Sequence, residues 1–89
     1  MRNAARTDGN QISIVEALRA VGAKVYYIKE PLDLLVAHRG RTILIECKLP
    51  GEKASKTQQA FIDGWPAECH VVHNTQEALE AVLGKEAMR

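Results

Sequence analysis

The sequence predicts an α/β protein: a mixed four-stranded sheet flanked by helices, in the order αβββαβα. Three observations support this. Short β-branched and aromatic runs alternate with segments whose apolar residues recur at helical spacing. Three of the runs are consecutive, and two of these are separated only by Arg39-Gly40, which suits a tight hairpin. A helical segment with its own start signal then separates the third run from the fourth, as a crossover connection requires.

The first helix is expected over residues 10–21. There Ile14, Ala17, Leu18 and Val21 form a stripe that Ile12 and Val15 widen. Asp8 or Asn10 is placed to cap it, and Gly22 to stop it. Residues 23–28 (AKVYYI) read as the first strand, and residues 33–38 (DLLVAH) and 41–48 (RTILIECK) as the two strands of the hairpin. Pro50-Gly51 breaks the chain. Ser55 with Gln58 has capping-box spacing, so the second helix should begin at Ser55, carry Phe61 on its buried side and end at Trp65-Pro66. Residues 69–72 (CHVV) form the fourth strand. Asn74 with Glu77 repeats the capping signature for a last helix, which turns Ala78, Leu79, Val82 and Leu83 to the core and stops at Gly84.

At 89 residues the chain is expected to be a single domain over residues 1–89. That excludes a multidomain enzyme with its own substrate domain and leaves room for a minimal catalytic module. So short a chain buries only a little over ~60% of its unfolded surface, and pairing of two copies is an ordinary remedy. With 46% apolar and 26% charged residues, the composition is close to the globular average and argues against disorder. No run approaches the ~20 apolar residues of a membrane span. The segment MRNAARTDGN lacks the apolar centre of a secretory signal. Cys47 and Cys69 are too few for a disulfide scaffold, so reduced thiols and a cytoplasmic location are expected, with no membrane association. The net charge of +1 is unevenly spread. Residues 1–56 hold ten Lys/Arg against six Asp/Glu (+4), and residues 57–89 hold two against five (−3). The basic bias of the first part is compatible with a polyanionic partner.

Asp33, Glu46 and Lys48 are charged where the strand pattern asks for apolar residues. Alternation puts Glu46 and Lys48 on one face of the sheet and Cys47 on the other. A hairpin symmetric about Arg39-Gly40 sets Asp33 opposite Glu46, with Lys48 one pleat away. Two adjacent carboxylates repel, and burying them costs several kcal/mol, on the order expected for uncompensated charge, unless a cation is present. A divalent cation such as Mg²⁺ suits oxygen ligands and keeps waters that a phosphate can replace. Lys48 adds a positive donor for charge developing on a phosphate, or helps to activate the attacking water. The alternative is a cross-strand ion pair on an open sheet face, worth under ~1 kcal/mol.

Asp33, twelve intervening residues and then Glu46-Cys47-Lys48 resemble the motif of the PD-(D/E)XK nucleases. The chain is similar to their VRR-NUC branch, especially the small stand-alone phage and prophage proteins. The similar stretches are DGNQISIVEALRAVGAKV, DLLVAHRGRTILIECK, SKTQQAFIDGW and HVVHNTQEAL, covering roughly residues 8–80. The resemblance implies a restriction-endonuclease-like core with Asp33 and Glu46 as metal-binding carboxylates. It also implies the backbone carbonyl of Cys47 as a further ligand, Lys48 as the catalytic lysine, and Gln58 as the glutamine that points toward the active site and the DNA. Gln58 is equally placed to be the capping partner of Ser55. Two features depart from the pattern: Leu32 separates Pro31 from Asp33, and Ser13 stands where relatives often carry an acid. The helix-one ligand is therefore unassigned, with Asn10 and Glu16 as the residues at hand.

Lys53, Ser55 and Lys56, on the loop and helix start after the motif, are candidates for holding DNA phosphates, as is Asn10. Arg39 and Arg41 read as solvated charges of the hairpin turn. Phe61 and Trp65 read as core or dimer surface. Cys47 reads as a buried strand thiol, and Cys69, His70 and His73 as packing residues, because alternation splits them between faces. The expected function is a Mg²⁺- or Mn²⁺-dependent DNA endonuclease. The small size argues for a homodimer, and the resemblance implies cleavage selective for branched DNA such as four-way junctions. The competing expectation is a catalytically weakened DNA-binding or assembly module, a subunit beside a phage replication or recombination protein.

Overall fold

A computed structural model describes residues 9–84. The elements follow in the expected order: α1 (Gly9–Ala20), β1 (Lys24–Tyr27), β2 (Leu34–His38), β3 (Arg41–Cys47), α2 (Lys56–Gly64), β4 (Cys69–Val72) and α3 (Thr75–Leu83). The four strands make one mixed sheet in the order β1-β2-β3-β4. β1 and β2 are antiparallel, as are β2 and β3, whereas β3 and β4 are parallel. The chain is thus α/β, with α2 as the connection between the parallel pair.

Alternation along the strands separates two faces. Val25, Leu34, Val36, Ile43, Ile45, Cys47 and Val72 share one face and pack with Ile14, Val15 and Leu18 of α1 and Ala78 and Val82 of α3. These side chains are the core, and each Val, Leu and Ile among them contributes about 1.5–3 kcal/mol through burial. The opposite face carries Leu35, Leu44, Glu46 and Val71, and α2 reaches it through Gln58.

The α1 stripe is narrower than expected. Ile14, Val15 and Leu18 are buried, whereas Ile12 is 48% and Val21 39% exposed, because only about 100° of the helix faces the sheet. Asn10 lies inside α1 rather than capping it, and the expected cap Asp8 lies outside the described residues. At the other end Gly22 (φ +96°) closes a Schellman motif: Ala23 N–H donates to Leu18 O at 3.1 Å and Gly22 N–H to Arg19 O at 3.0 Å. In the last turn the Arg19 guanidinium donates to Val25 O at 2.7 Å and ties α1 to β1.

The hairpin turn is tight. His38 pairs with Arg41, and both Arg39 (φ +51°) and Gly40 (φ +80°) have positive φ, as a two-residue turn of the twisted hairpin type requires. Arg41 is not the free turn charge the sequence suggested. Its guanidinium grips both carboxylate oxygens of Glu68 (2.9 and 2.7 Å) and also donates to Val82 O (2.7 Å) and Ala81 O (3.0 Å) at the end of α3. The side chain points away from the turn, where the last carbonyls of α3 lack helical partners and attract a cation.

The capping box of α2 forms as expected: Gln58 N–H donates to Ser55 Oγ (3.1 Å), and Ser55 N–H to Gln58 Oε1 (2.8 Å). Phe61, expected on a buried side, is only half-buried, and no residue of α2 is fully buried. Phe61 instead stacks on Trp65, with ring centroids 5.0 Å apart. Asn74 caps α3 by accepting from Glu77 N–H at 2.8 Å, but the reciprocal half of that box is displaced by one residue. Glu77 accepts from the backbone N–H of His73 (2.8 Å) and contacts the His73 ring (2.9 Å). The imidazole offers a second bond that the Asn74 backbone cannot. Among the described residues no helix is long and apolar enough to cross a membrane.

Candidate functional site

The hairpin register places the acidic pair. Leu34 is paired with Ile45, so one further step sets Asp33 opposite Glu46. Asp33 precedes β2 by one residue, yet its backbone carbonyl accepts from Ile28 N–H (2.8 Å) and Lys29 N–H (3.3 Å), which extends the pairing with β1. Its carboxylate accepts from Cys47 N–H at 2.8 Å, a bond to the backbone at the end of β3. Asp33 and Glu46 share the sheet face opposite the core, at the end where β3 stops.

Glu46 is 2% exposed although it carries a carboxylate. Gln58 Nε2 donates to its Oε2 at 2.6 Å, and Lys48 Nζ lies 3.4 Å from the same oxygen. Its other oxygen, Oε1, is buried with no hydrogen-bond partner. Burial pushes the Glu46 carboxyl above its ordinary pKa, and the negative charge of Asp33 adds to this, whereas the Lys48 ammonium pulls the other way. A buried carboxylate with an orphaned oxygen beside a second carboxylate is a costly arrangement for stability alone and a suitable one for an oxygen-loving cation.

Asp33, Glu46, Lys48 and Gln58, read from the sequence, are thus brought together. Gln58 serves both as capping partner of Ser55, through Oε1, and as donor to Glu46, through Nε2. Lys53, Ser55 and Lys56 are exposed on the loop and first turn leading to Gln58. Asn10, grouped with them from the sequence, has its amide nitrogen on Lys48 O at 2.7 Å, and its Oδ1 is buried without a partner. Ser13 and Glu16 are exposed on α1. Among the described residues no three His, Cys, Asp or Glu side chains are gathered to hold a metal ion. Burial also pushes the Cys69 thiol above its ordinary pKa.

Two features were not read from the sequence. The Asn10 contact joins residues 38 apart, and no periodicity reports such a bond. The His73 ring is bracketed by Glu77 Oε1 (2.9 Å) and Glu52 O (2.9 Å), and both contacts hold its pKa above the ordinary imidazole value, the Glu77 bond most. The spacing of Glu77 four residues after His73 was the available signal for the first contact. In comparisons with protein-family models, curated proteins and solved structures, the chain matches none.

Proposed function

We propose that this chain is a divalent-metal-dependent DNA endonuclease with a restriction-endonuclease-like core, similar to the VRR-NUC branch of the PD-(D/E)XK nucleases. The observation that carries the reading is Glu46: a buried carboxylate with one orphaned oxygen, held beside Asp33 by the hairpin and faced by Lys48 at 3.4 Å. Asp33, Glu46 and the Cys47 backbone carbonyl would hold Mg²⁺ or Mn²⁺. When bound, the ion supplies Lewis-acid polarisation of the scissile phosphate and lowers the pKa of water.

The remaining chemistry belongs to the chain. Lys48 places its ammonium where negative charge builds on the phosphate oxygens, and the fixed charge needs no rearrangement as the bond breaks. Gln58 holds the Glu46 carboxylate by one oxygen and leaves the other without a hydrogen bond. Lys53, Ser55 and Lys56 provide donors for flanking phosphates at the start of α2, where the helix end favours anions. On this reading selectivity comes from DNA shape and from pairing of two copies, each cutting one strand of a branched molecule such as a four-way junction.

The test is cleavage of a labelled four-way junction, a plain duplex and a single strand by wild type and Asp33→Ala, with Mg²⁺, Mn²⁺ or EDTA. Metal-dependent cutting by wild type and none by Asp33→Ala is expected. No cutting by wild type under any condition, or equal cutting by the variant, leaves the DNA-binding or assembly module as the function. Cutting of linear DNA with the junction intact removes only the branched-DNA part. Sedimentation at high concentration tests the pairing, which a strict monomer refutes.

A further inference from the structure

We propose that Asn10 is a positioning residue of the site, acting through Lys48; the inference rests on the nuclease reading for its effect on turnover, but not for its structural part. Lys48 follows the last residue of β3 and precedes the Pro50-Gly51 break, so its peptide unit lies where the ladder is ending. It is nevertheless held on both sides. Its N–H donates to Val72 O of β4 at 2.9 Å, and its carbonyl accepts from Asn10 Nδ2 of α1 at 2.7 Å. Two elements from opposite ends of the chain thereby fix the Cα–Cβ direction of the residue whose ammonium reaches Glu46.

The contact is not what packing alone selects. The acceptor end of the same amide, Asn10 Oδ1, is buried without a partner, a cost that an apolar residue at this position avoids. Among the described residues the buried side-chain atoms with no partner are this oxygen and Glu46 Oε1, and both belong to side chains that contact Lys48. The asparagine acts there through its donor. A lysine stem has four rotatable bonds, and an anchored backbone lowers the entropy lost when the ammonium is held in one place. The hydrogen bond of Asn10 runs to the Lys48 backbone, so its loss should lower turnover and leave DNA affinity intact.

The experiment is a double-mutant cycle. kcat and KM for DNA cleavage are measured for wild type, Asn10→Ala, Lys48→Ala and the pair, with Asn10→Gln as the variant that keeps an amide donor. Expected are a fall in kcat of about 10–100-fold for Asn10→Ala with KM unchanged, as for residues that orient a site at one remove. Partial recovery in Asn10→Gln and no further loss in the double variant beyond Lys48→Ala are also expected. Additive losses, or a loss confined to KM, overturn the proposal. The ¹³C shift of the Lys48 carbonyl, compared between wild type and Asn10→Ala, is read in parallel and is independent of catalysis. If wild type cuts no DNA, the nuclease reading fails; a moved shift then upholds the hold on Lys48, and an unmoved shift overturns it. Should Asn10→Ala not fold by circular dichroism, Asn10→Ser takes its place in the cycle and in the shift measurement.

Discussion

Replacing Glu46 by glutamine should stabilise the metal-free protein while removing its response to metal. Glu46 is 2% exposed, stands next to Asp33 and leaves Oε1 without a partner. The amide removes one of two adjacent negative charges and puts a donor where acceptors had been crowded. A buried polar group left unsatisfied costs about 1–3 kcal/mol. Relief of that order corresponds to a rise in Tm of about 4–8 °C for each kcal/mol in a domain of this size. The effect depends on pH in a definite sense. Because the folded state raises the Glu46 pKa above its ordinary 4.5, it binds the proton more tightly than the unfolded chain does. Wild type therefore loses stability as pH climbs from 4.5 through the raised value, and its deficit against Glu46→Gln is largest above that window. Divalent metal should act in the opposite direction. At 100 times its Kd a ligand that binds only the folded state adds about 2.7 kcal/mol, which wild type gains and the variant does not. The assay is thermal unfolding followed by circular dichroism, in EDTA and in a Mg²⁺ series, at pH 4 and pH 8. A variant less stable than wild type in EDTA at pH 8, or one that gains equally from Mg²⁺, refutes this account of Glu46.

Lys48→Ala should fold normally and bind DNA, but cut it about 10²–10³-fold more slowly, the loss typical of one charge-stabilising donor, as single-turnover rates would reveal. Ser55→Ala removes the N-cap of a helix that has no buried residue, so about 0.5–2 kcal/mol of local stability should vanish. Faster amide exchange over residues 56–64, with the core amides unaffected, is the signature to look for. His73 should titrate above its ordinary 6.5 by NMR and return toward it in Glu77→Gln. The stability its contacts provide is fully present below pH 6.5 and fades as pH rises through the raised value, so unfolding of His73→Ala should differ most from wild type at acid pH.

The parts of this molecule that are local in sequence were legible in it. Ser55 and Gln58 declare their cap because both partners lie within one turn. Arg39-Gly40 sets the register of the hairpin, and the register alone brings Asp33 to Glu46. The same local rules failed where a distant acceptor competed. Arg41 was read as a turn charge because nothing near it shows that Glu68 and the end of α3 will fold back upon it. Phe61 was read as buried because the helix pattern reports which residues share a side, not how closely the sheet approaches that side. The bond of Asn10 to Lys48 spans 38 positions, and no local rule reports it. The acidic pair itself was legible as charge out of pattern, whereas its orphaned oxygen is a property of three-dimensional packing and has no sequence signal.

The two-residue turn at Arg39-Gly40 lies at the far end of the hairpin from Asp33 and Glu46, and it works as the hinge of a caliper. One residue inserted into either arm slides that strand by a step, turning its carboxylate to the core side of the sheet and an aliphatic chain out in its place. A residue added to both arms leaves the jaws facing each other. Length variation in this hairpin is therefore tolerable only in matched increments, and an unmatched one should abolish the site while leaving each arm competent to form a strand.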